Sequence, residues 1–150
     1  MNNNKEIVIY TDGACKGNPG IGGWGALIKY DGSEREIKGC ILNTTNNKME
    51  LIAVIESLNF IKNVKSVKII TDSKYVKNGI CDWIFKWKKN GWMTASKKPV
   101  KNRELWEELD NLVQAYNVTW EWVKGHAGDP GNERADQLAN EAIAESLTKY

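Results

Sequence analysis

The sequence predicts an α/β fold: a five-stranded mixed sheet, three antiparallel strands and then parallel additions, flanked by helices. Three observations lead there. Two apolar runs, Ile7-Val8-Ile9-Tyr10 and Val67-Lys68-Ile69-Ile70, each continue into Thr-Asp and then a small residue. A helical pattern lies between them, and strand, helix, strand is a crossover unit whose two strands run parallel. The first run is also followed directly by two more strand patterns with no helix between, which makes an antiparallel meander.

Taken in order, Ile7 to Tyr10 is rich in β-branched and aromatic residues and reads as a buried strand. Asp12 falls at its carboxyl end, the edge of a sheet where ligands collect. Asp12-Gly13 is also a turn signal, and a plain turn is the competing reading of that dipeptide. Gly13 to Gly23 reads as a glycine-rich loop fixed by Pro19. Within it begins Gly20-x-Gly22-x-x-Gly25, a formal match to the dinucleotide fingerprint. That fingerprint needs a helix to follow, whereas Trp24 to Tyr30 alternates as a strand. No Gly-Lys-Ser/Thr follows a glycine loop, so a P-loop is excluded. Asp31-Gly32-Ser33 is a hairpin signal, and Glu34 to Leu42 reads as the third strand.

Asn43-Thr44-Thr45-Asn46-Asn47 is dense in helix N-cap residues, and Lys48 to Lys62 carries Leu51, Ile52, Ile55, Leu58 and Ile61 at helical spacing. Glu50 lies in the first turn, where the helix dipole alone can account for an acid. Ser66 to Ser73 is the fourth strand and its ending. Lys74 to Gly79 and Asp82 to Asn90 read as two short helices, Gly91 to Asn102 as irregular, and Glu104 to Tyr116 as a longer helix. Val118 to Val123 alternates as a fifth strand. Lys124 to Gly131 is a loop, and a last helix runs from about Asn132 to Leu147 with Asp136 in its first turns.

A chain of 150 residues suits one compact domain, read as 1–150, and 41% hydrophobic with 27% charged residues is ordinary for a globular protein. The net charge of +2 hides an asymmetry. From Trp83 to Arg103 stand Lys86, Lys88, Lys89, Lys97, Lys98, Lys101 and Arg103 with no acid, so the rest of the chain is acidic. A basic block of this kind, carrying Trp83, Trp87 and Trp92, suggests a polyanionic partner, with lysines tracking phosphates and an indole platform for a sugar or base. The competing explanations are a solvated lysine face and core tryptophans. Cys15, Cys40 and Cys81 are widely spaced, form no C-x-x-C and fit a reducing cytoplasm. No apolar run has membrane-spanning length and no signal peptide is evident.

The candidate site is Asp12, Glu50, Asp72 and Asp136, two from strand ends and two from helix starts. Parallel neighbouring strands with matched endings put Asp12 and Asp72 side by side. Carboxylates gathered in a small volume raise one another's pKa, and a hard divalent cation resolves the conflict. Oxygen-only ligands favour Mg²⁺ or Mn²⁺ over zinc. Two such ions about 4 Å apart can activate water and stabilise the leaving oxygen of a phosphodiester. His126, the single histidine, sits in a glycine-bracketed loop just ahead of the Asp136 helix. It can be structural or can shuttle a proton.

Several segments together carry a resemblance: Tyr10-Thr11-Asp12-Gly13, Gly17-Asn18-Pro19-Gly20, Thr44 to Glu50, Thr71-Asp72-Ser73, Trp83 to Trp92, Lys98 to Asn102, Trp120 to His126 and Asn132 to Asp136. In order and spacing the chain resembles bacterial-type ribonuclease H, type 1. The resemblance implies the ribonuclease H-like fold and an endonuclease that cuts the RNA strand of an RNA–DNA hybrid, leaving 5′-phosphate and 3′-hydroxyl ends. It implies two Mg²⁺ ions, with Mn²⁺ as a substitute, on Asp12, Glu50, Asp72 and Asp136, and His126 as the accessory group. It implies that Asn18 and Asn46 read the minor groove, and that Thr45 and Asn102 grip a DNA phosphate. Trp83 and the lysines after it, Lys88 and Lys89 among them, match a basic protrusion at about 82–102 that holds the DNA strand. Lys74 stands where the family often has a glutamine at the minor groove, and Asn43 where an arginine commonly supports the phosphate pocket. Both departures bear on hybrid affinity rather than on the chemistry. A monomer is expected, with no further hybrid-binding domain before residue 6. Two alternatives remain: a nuclease of the same superfamily acting on DNA, and a non-catalytic module that binds duplex nucleic acid.

Overall fold

The computed structural model describes residues 6–61, 66–124 and 128–148. They form one mixed sheet in the order β3-β2-β1-β4-β5. Strands β1 (Ile7–Gly17), β2 (Gly20–Tyr30) and β3 (Ser33–Thr44) are the antiparallel meander, and β4 (Ser66–Thr71) and β5 (Asn117–Trp122) add in parallel. Helices α1 (Asn46–Phe60) and α4 (Arg103–Ala115) pack together, α1 against β1 and β2 and α4 against β5. Helix α5 (Pro130–Thr148) packs on β1, β2 and β3.

The core follows from the strand alternation. Ile7, Ile9, Ala26, Ile28, Val67 and Ile69 meet Leu51, Val54, Ile55 and Leu58 of α1 and, beyond them, Trp106 and Leu109 of α4. Ala135, Leu138, Ala139, Ala142 and Ile143 are the buried stripe of α5. The stripe is mostly alanine because it lies on glycine. A methyl at Gly25 would stand 2.6 Å from Leu138 Cβ and 2.7 Å from the Ala135 carbonyl, and one at Gly23 would collide with the Ala139 carbonyl. Removing the side chains of β2 lets the α5 backbone lie directly on the strand.

Two expectations are corrected. The segment 13–23 is not a loop. Strands β1 and β2 continue through it as a long hairpin, paired from Val8↔Lys29 to Gly17↔Gly20, with Asn18-Pro19 alone at the tip. Its glycines mimic a loop in composition but serve packing, as Gly13, Gly22 and Gly23 show. The two short helices after Asp72 are one helical run. Helix α2 (Lys74–Asn78) continues through a wide π turn at Gly79–Trp83 into α3 (Ile84–Lys89). Gly79 lets Trp106 pack against this turn, because a Cβ there would fall on the Trp106 ring.

After α3, 90–102 is irregular, as expected, and closes on itself. Met93 bridges Pro99, Thr94 N–H donates to the Lys98 carbonyl (2.7 Å), and Val100 N–H donates to the Trp92 carbonyl (3.0 Å). Trp87 packs against Trp83, Trp92 and Trp106 with ring centroids 5.8, 6.3 and 5.4 Å away. Trp87 and Trp92 therefore anchor this basic segment to the core. No helix among the described residues is long and apolar enough to cross a membrane.

Candidate active site

Strands β1 and β4 are paired in parallel through Thr11↔Thr71. Asp12 and Asp72 are each the next residue, so the register sets them abreast. Glu50 arrives from α1, whose start is fixed by Thr45, its Oγ1 accepting from Lys48 N–H at 3.3 Å. Gly13 brings that helix close, since a Cβ at Gly13 would lie 2.6 Å from the Glu50 backbone nitrogen. Asp12, Glu50 and Asp72 each offer a carboxylate oxygen within 4.8 Å of the other two. Asp136, on α5, lines the same cleft, accepts from Asn140 Nδ2 at 3.4 Å and is near enough to Asp12 to help raise its pKa. The sequence reading grouped all four acids. Three form the tight cluster and Asp136 stands at its side. The α5 start is capped by Asp129, whose Oδ1 accepts from Gly131 N–H (2.9 Å) and Asn132 N–H (3.2 Å).

The cleft has a volume of about 400 Å³ and is bordered also by Gly13, Asn46, Asn47, Ser73, Lys74 and Tyr75. Its electrostatics are unfavourable as they stand. Burial, and then the charge of Asp72, push Asp12 up to about 8, against the opposing hydrogen bond from Gly13 N–H at 2.9 Å. Burial, and then the charges of Asp12, Asp72 and Asp136, hold Glu50 well above the usual carboxylate range. Glu50 Oε2 is buried and has no hydrogen-bond partner among the described residues. Clustered acids with an orphaned oxygen are what a hard cation would satisfy, so the donor set fits a divalent ion bound through oxygen.

Around the cleft, Asn18 Oδ1 accepts from Asn46 N–H at 3.2 Å, joining the hairpin tip to the start of α1. Asn102 has a left-handed backbone (φ 61°) just before α4. Its Nδ2 donates to Tyr75 Oη at 3.0 Å, and Trp106 Nε1 donates to the same oxygen at 3.0 Å. Tyr75 borders the cleft, so one phenol ties Asn102 to it. Sequence reasoning missed Tyr75, although it stands three residues past Asp72. Trp83 is half-buried against Tyr75 and Trp87. Lys89 is exposed, and Lys88 pairs with Asp110 at 3.1 Å. Lys74 is exposed on the cleft border, while Asn43 and Asn102 line a neighbouring cavity with Lys48 and Arg103. His126 lies outside the described residues.

Residues 4–144 match the RNase H family model. The chain belongs to the ribonuclease H family. It is 59% identical over 144 residues to Ribonuclease H of Francisella tularensis subsp. novicida (strain U112), covering 96% of this chain and 95% of that protein. Ribonuclease H of Francisella philomiragia subsp. philomiragia is 60% identical over the same length and coverage. Among solved structures, LC9-RNase H1, described as a type 1 RNase H with the type 2 active-site motif, superposes with a TM-score of 0.85 at 34% identity. That match covers 97% of this chain and 75% of the other. LC11-RNase H1 in complex with an RNA/DNA hybrid has a TM-score of 0.70 at 26% identity, over 94% of this chain and 99% of the other. Membership makes this ribonuclease H a nuclease, a hydrolase of phosphodiester bonds. The family is metal-dependent, and Asp12, Glu50 and Asp72 form a group able to hold a metal ion.

Proposed function

We propose that this protein is an endonuclease that hydrolyses the RNA strand of RNA–DNA hybrids, with Mg²⁺ held by Asp12, Glu50, Asp72 and Asp136. One observation carries the reading: three acids with ligand oxygens within 4.8 Å, one of them with an orphaned buried oxygen. The hybrid bound to LC11-RNase H1 supports the substrate class. When bound, a pair of Mg²⁺ ions, or Mn²⁺ in their place, activates a water and takes up charge on the leaving oxygen. Phosphorus–oxygen cleavage on that side leaves a 5′-phosphate and a 3′-hydroxyl.

The chain's own residues supply the rest. Asp12 and Glu50, once ionised, cannot remain buried without a cation, so they select hard divalent ions from solution. The hydrogen bond from Gly13 N–H fixes one Asp12 oxygen and leaves the other for a ligand. Asn18 and Asn46, coupled by their hydrogen bond, face a minor groove in which 2′-hydroxyls mark the RNA strand. Thr45 and Asn102 grip a phosphate of the DNA strand, at a separation from the cleft that Tyr75 sets. Trp83, Lys88 and Lys89, with Lys74 at the border, guide the duplex by shape and charge rather than by sequence. His126 serves as the accessory proton carrier. The chain acts as a single catalytic domain with its basic protrusion at 82–102, as a monomer. Its three free cysteines suit the cytoplasm.

The test is hydrolysis of an end-labelled RNA–DNA hybrid with Mg²⁺, beside duplex RNA and duplex DNA. Cutting of the hybrid's RNA strand alone is expected. Comparable cutting of duplex DNA would replace the reading with a DNA nuclease, and hybrid binding with no cutting would replace it with a binding module.

A further inference from the structure

A second cavity, of about 370 Å³, adjoins the carboxylate cleft on the β5 side and shares Asp72, Ser73 and Lys74 with it. Its remaining walls are Lys77, Trp122, Val123 and Lys124. Lys74 and Lys77 stand three apart on α2 and so share a face. Lys124 comes from another element, two residues beyond the end of β5. All three lysines are exposed, and none has an ion-pair partner among the described residues. Lys68 and Lys88, in contrast, are paired to Glu121 and Asp110. Three ammonium groups from two elements thus converge on a concave surface whose single acid, Asp72, belongs to the carboxylate cluster. Such a hollow attracts an anion.

The anion's class follows from the neighbouring cleft. A polynucleotide with one phosphate among the carboxylates must carry its next phosphate across one border of that cleft. The borders made by Asp12, Glu50 and Asp136 are acidic and those made by Gly13, Asn46, Asn47 and Tyr75 carry no cation, whereas the Lys74 border opens on the basic hollow. Lysine suits the task, as a mobile point charge that reads no sequence. We propose that this hollow is a subsite for the RNA-strand phosphate adjacent to the one being cut. Lys77 and Lys124 hold that phosphate, Lys74 stands at the border, and the Trp122 ring supplies an apolar wall. This rests on the reading of the carboxylate cleft as the RNA-cutting centre.

The experiment uses the full chain and its Lys77→Ala, Lys124→Ala and doubly substituted variants. Hybrid binding is measured in chelator across 50 to 200 mM salt, and cleavage with Mg²⁺ at both salts. The substituted side chains are exposed, and circular dichroism checks the fold. The expected result is a KM raised about threefold to tenfold with kcat within about twofold, and a salt slope of log affinity shallower by about 1. The loss of about 1 is expected in full only for the double variant and in part for either single one, since both lysines neutralise the same phosphate. Lys77→Arg should keep the parent slope. An uncharged methylphosphonate linkage, stepped along the RNA strand, should slow the parent at one position beside the cut and leave the double variant indifferent there. An unchanged salt slope, or the parent's sensitivity persisting in the double variant, would overturn the subsite. Failure of the parent to cut the hybrid would instead overturn the reading of the cleft, and the binding slopes would still decide the lysines.

Discussion

Helix α5 borders two groups of acids that meet opposite conditions. On its outer flank Arg134 bridges Glu36 of β3 (2.6 Å) and Glu141 (2.8 Å), and Lys38 contacts Glu141 (3.3 Å) and Glu145. These groups face solvent, and hydrogen bonds from Arg134 hold Glu36 and Glu141 below the usual carboxylate range. On the other side Asp136 leans toward Asp12, where burial and neighbouring charge push Asp12 up to about 8. The outer acids have cations within the chain and add a little stability. The inner ones have no ion-pair partner among the described residues and reduce stability until an external cation arrives. A protein that needed only to stay folded would have no use for the second arrangement, so the contrast separates what holds the fold from what serves the reaction.

The strongest way to sharpen that contrast is to remove one inner charge. Asp72→Asn should lower hybrid cleavage by about a thousandfold or more while circular dichroism stays that of the parent. Cleavage within tenfold of the parent would remove Asp72 from the metal set.

A second effect reaches stability. Asp12 binds a proton in the folded state between its ordinary value, 3.8, and about 8, a range in which the unfolded chain has lost it. The stability linked to Asp12 is therefore full below about pH 4 and declines as pH rises to about 8. Asp12→Asn does not titrate, so in chelator it should become more stable than the parent, by up to roughly 5 kcal/mol at pH 8 and by little at pH 4. Urea unfolding at the two pH values measures this, and a variant less stable than the parent at pH 8 would contradict the strain assigned to the cleft.

A third effect is the pH dependence of metal binding. Ligation requires deprotonated acids, so Mg²⁺ affinity, read from the rise in melting temperature with added metal, should increase from pH 5.5 to 8. The gain should be about tenfold per pH unit for each proton released. A flat profile would mean that the cleft acids are already ionised without metal.

The smallest effect belongs to the outer flank. Glu36→Gln should shift the melting temperature by no more than about 2 °C, less at high salt, and leave cleavage unchanged. A larger loss of cleavage would show that the flank positions Asp136.

Much of this arrangement could be read from the residues. Matched Thr-Asp endings on two crossover strands announce the Asp12–Asp72 pair, and the observed register sets the two in step. The N-cap cluster announces the helix that brings Glu50. What could not be read depends on long-range geometry. Glycine in a window signals a loop, yet between Gly13 and Gly23 it marks backbone pressed against α1 and α5. A wide turn hides the continuity of 74–89, because it preserves helical backbone while shifting the side-chain phase. The partner of Lys88 is 22 residues away and Glu36, one partner of Arg134, is 98 away, distances over which no local pattern carries information. Asp136 could be assigned to the site but not placed within it, since its position depends on how a helix seats on a sheet.

Under the ligand set proposed above, that seating gives β2 a part in the reaction that none of its atoms perform. A Cβ at Gly25 would press on the carbonyl of Ala135, the residue immediately before Asp136, and one at Gly23 on that of Ala139 one turn later. An alanine at either glycine would tilt or lift the helix and swing the fourth acid relative to the other three. Turnover would then fall in a variant whose ligands are all present, and a randomised library selected for cleavage would keep these glycines as strictly as the acids.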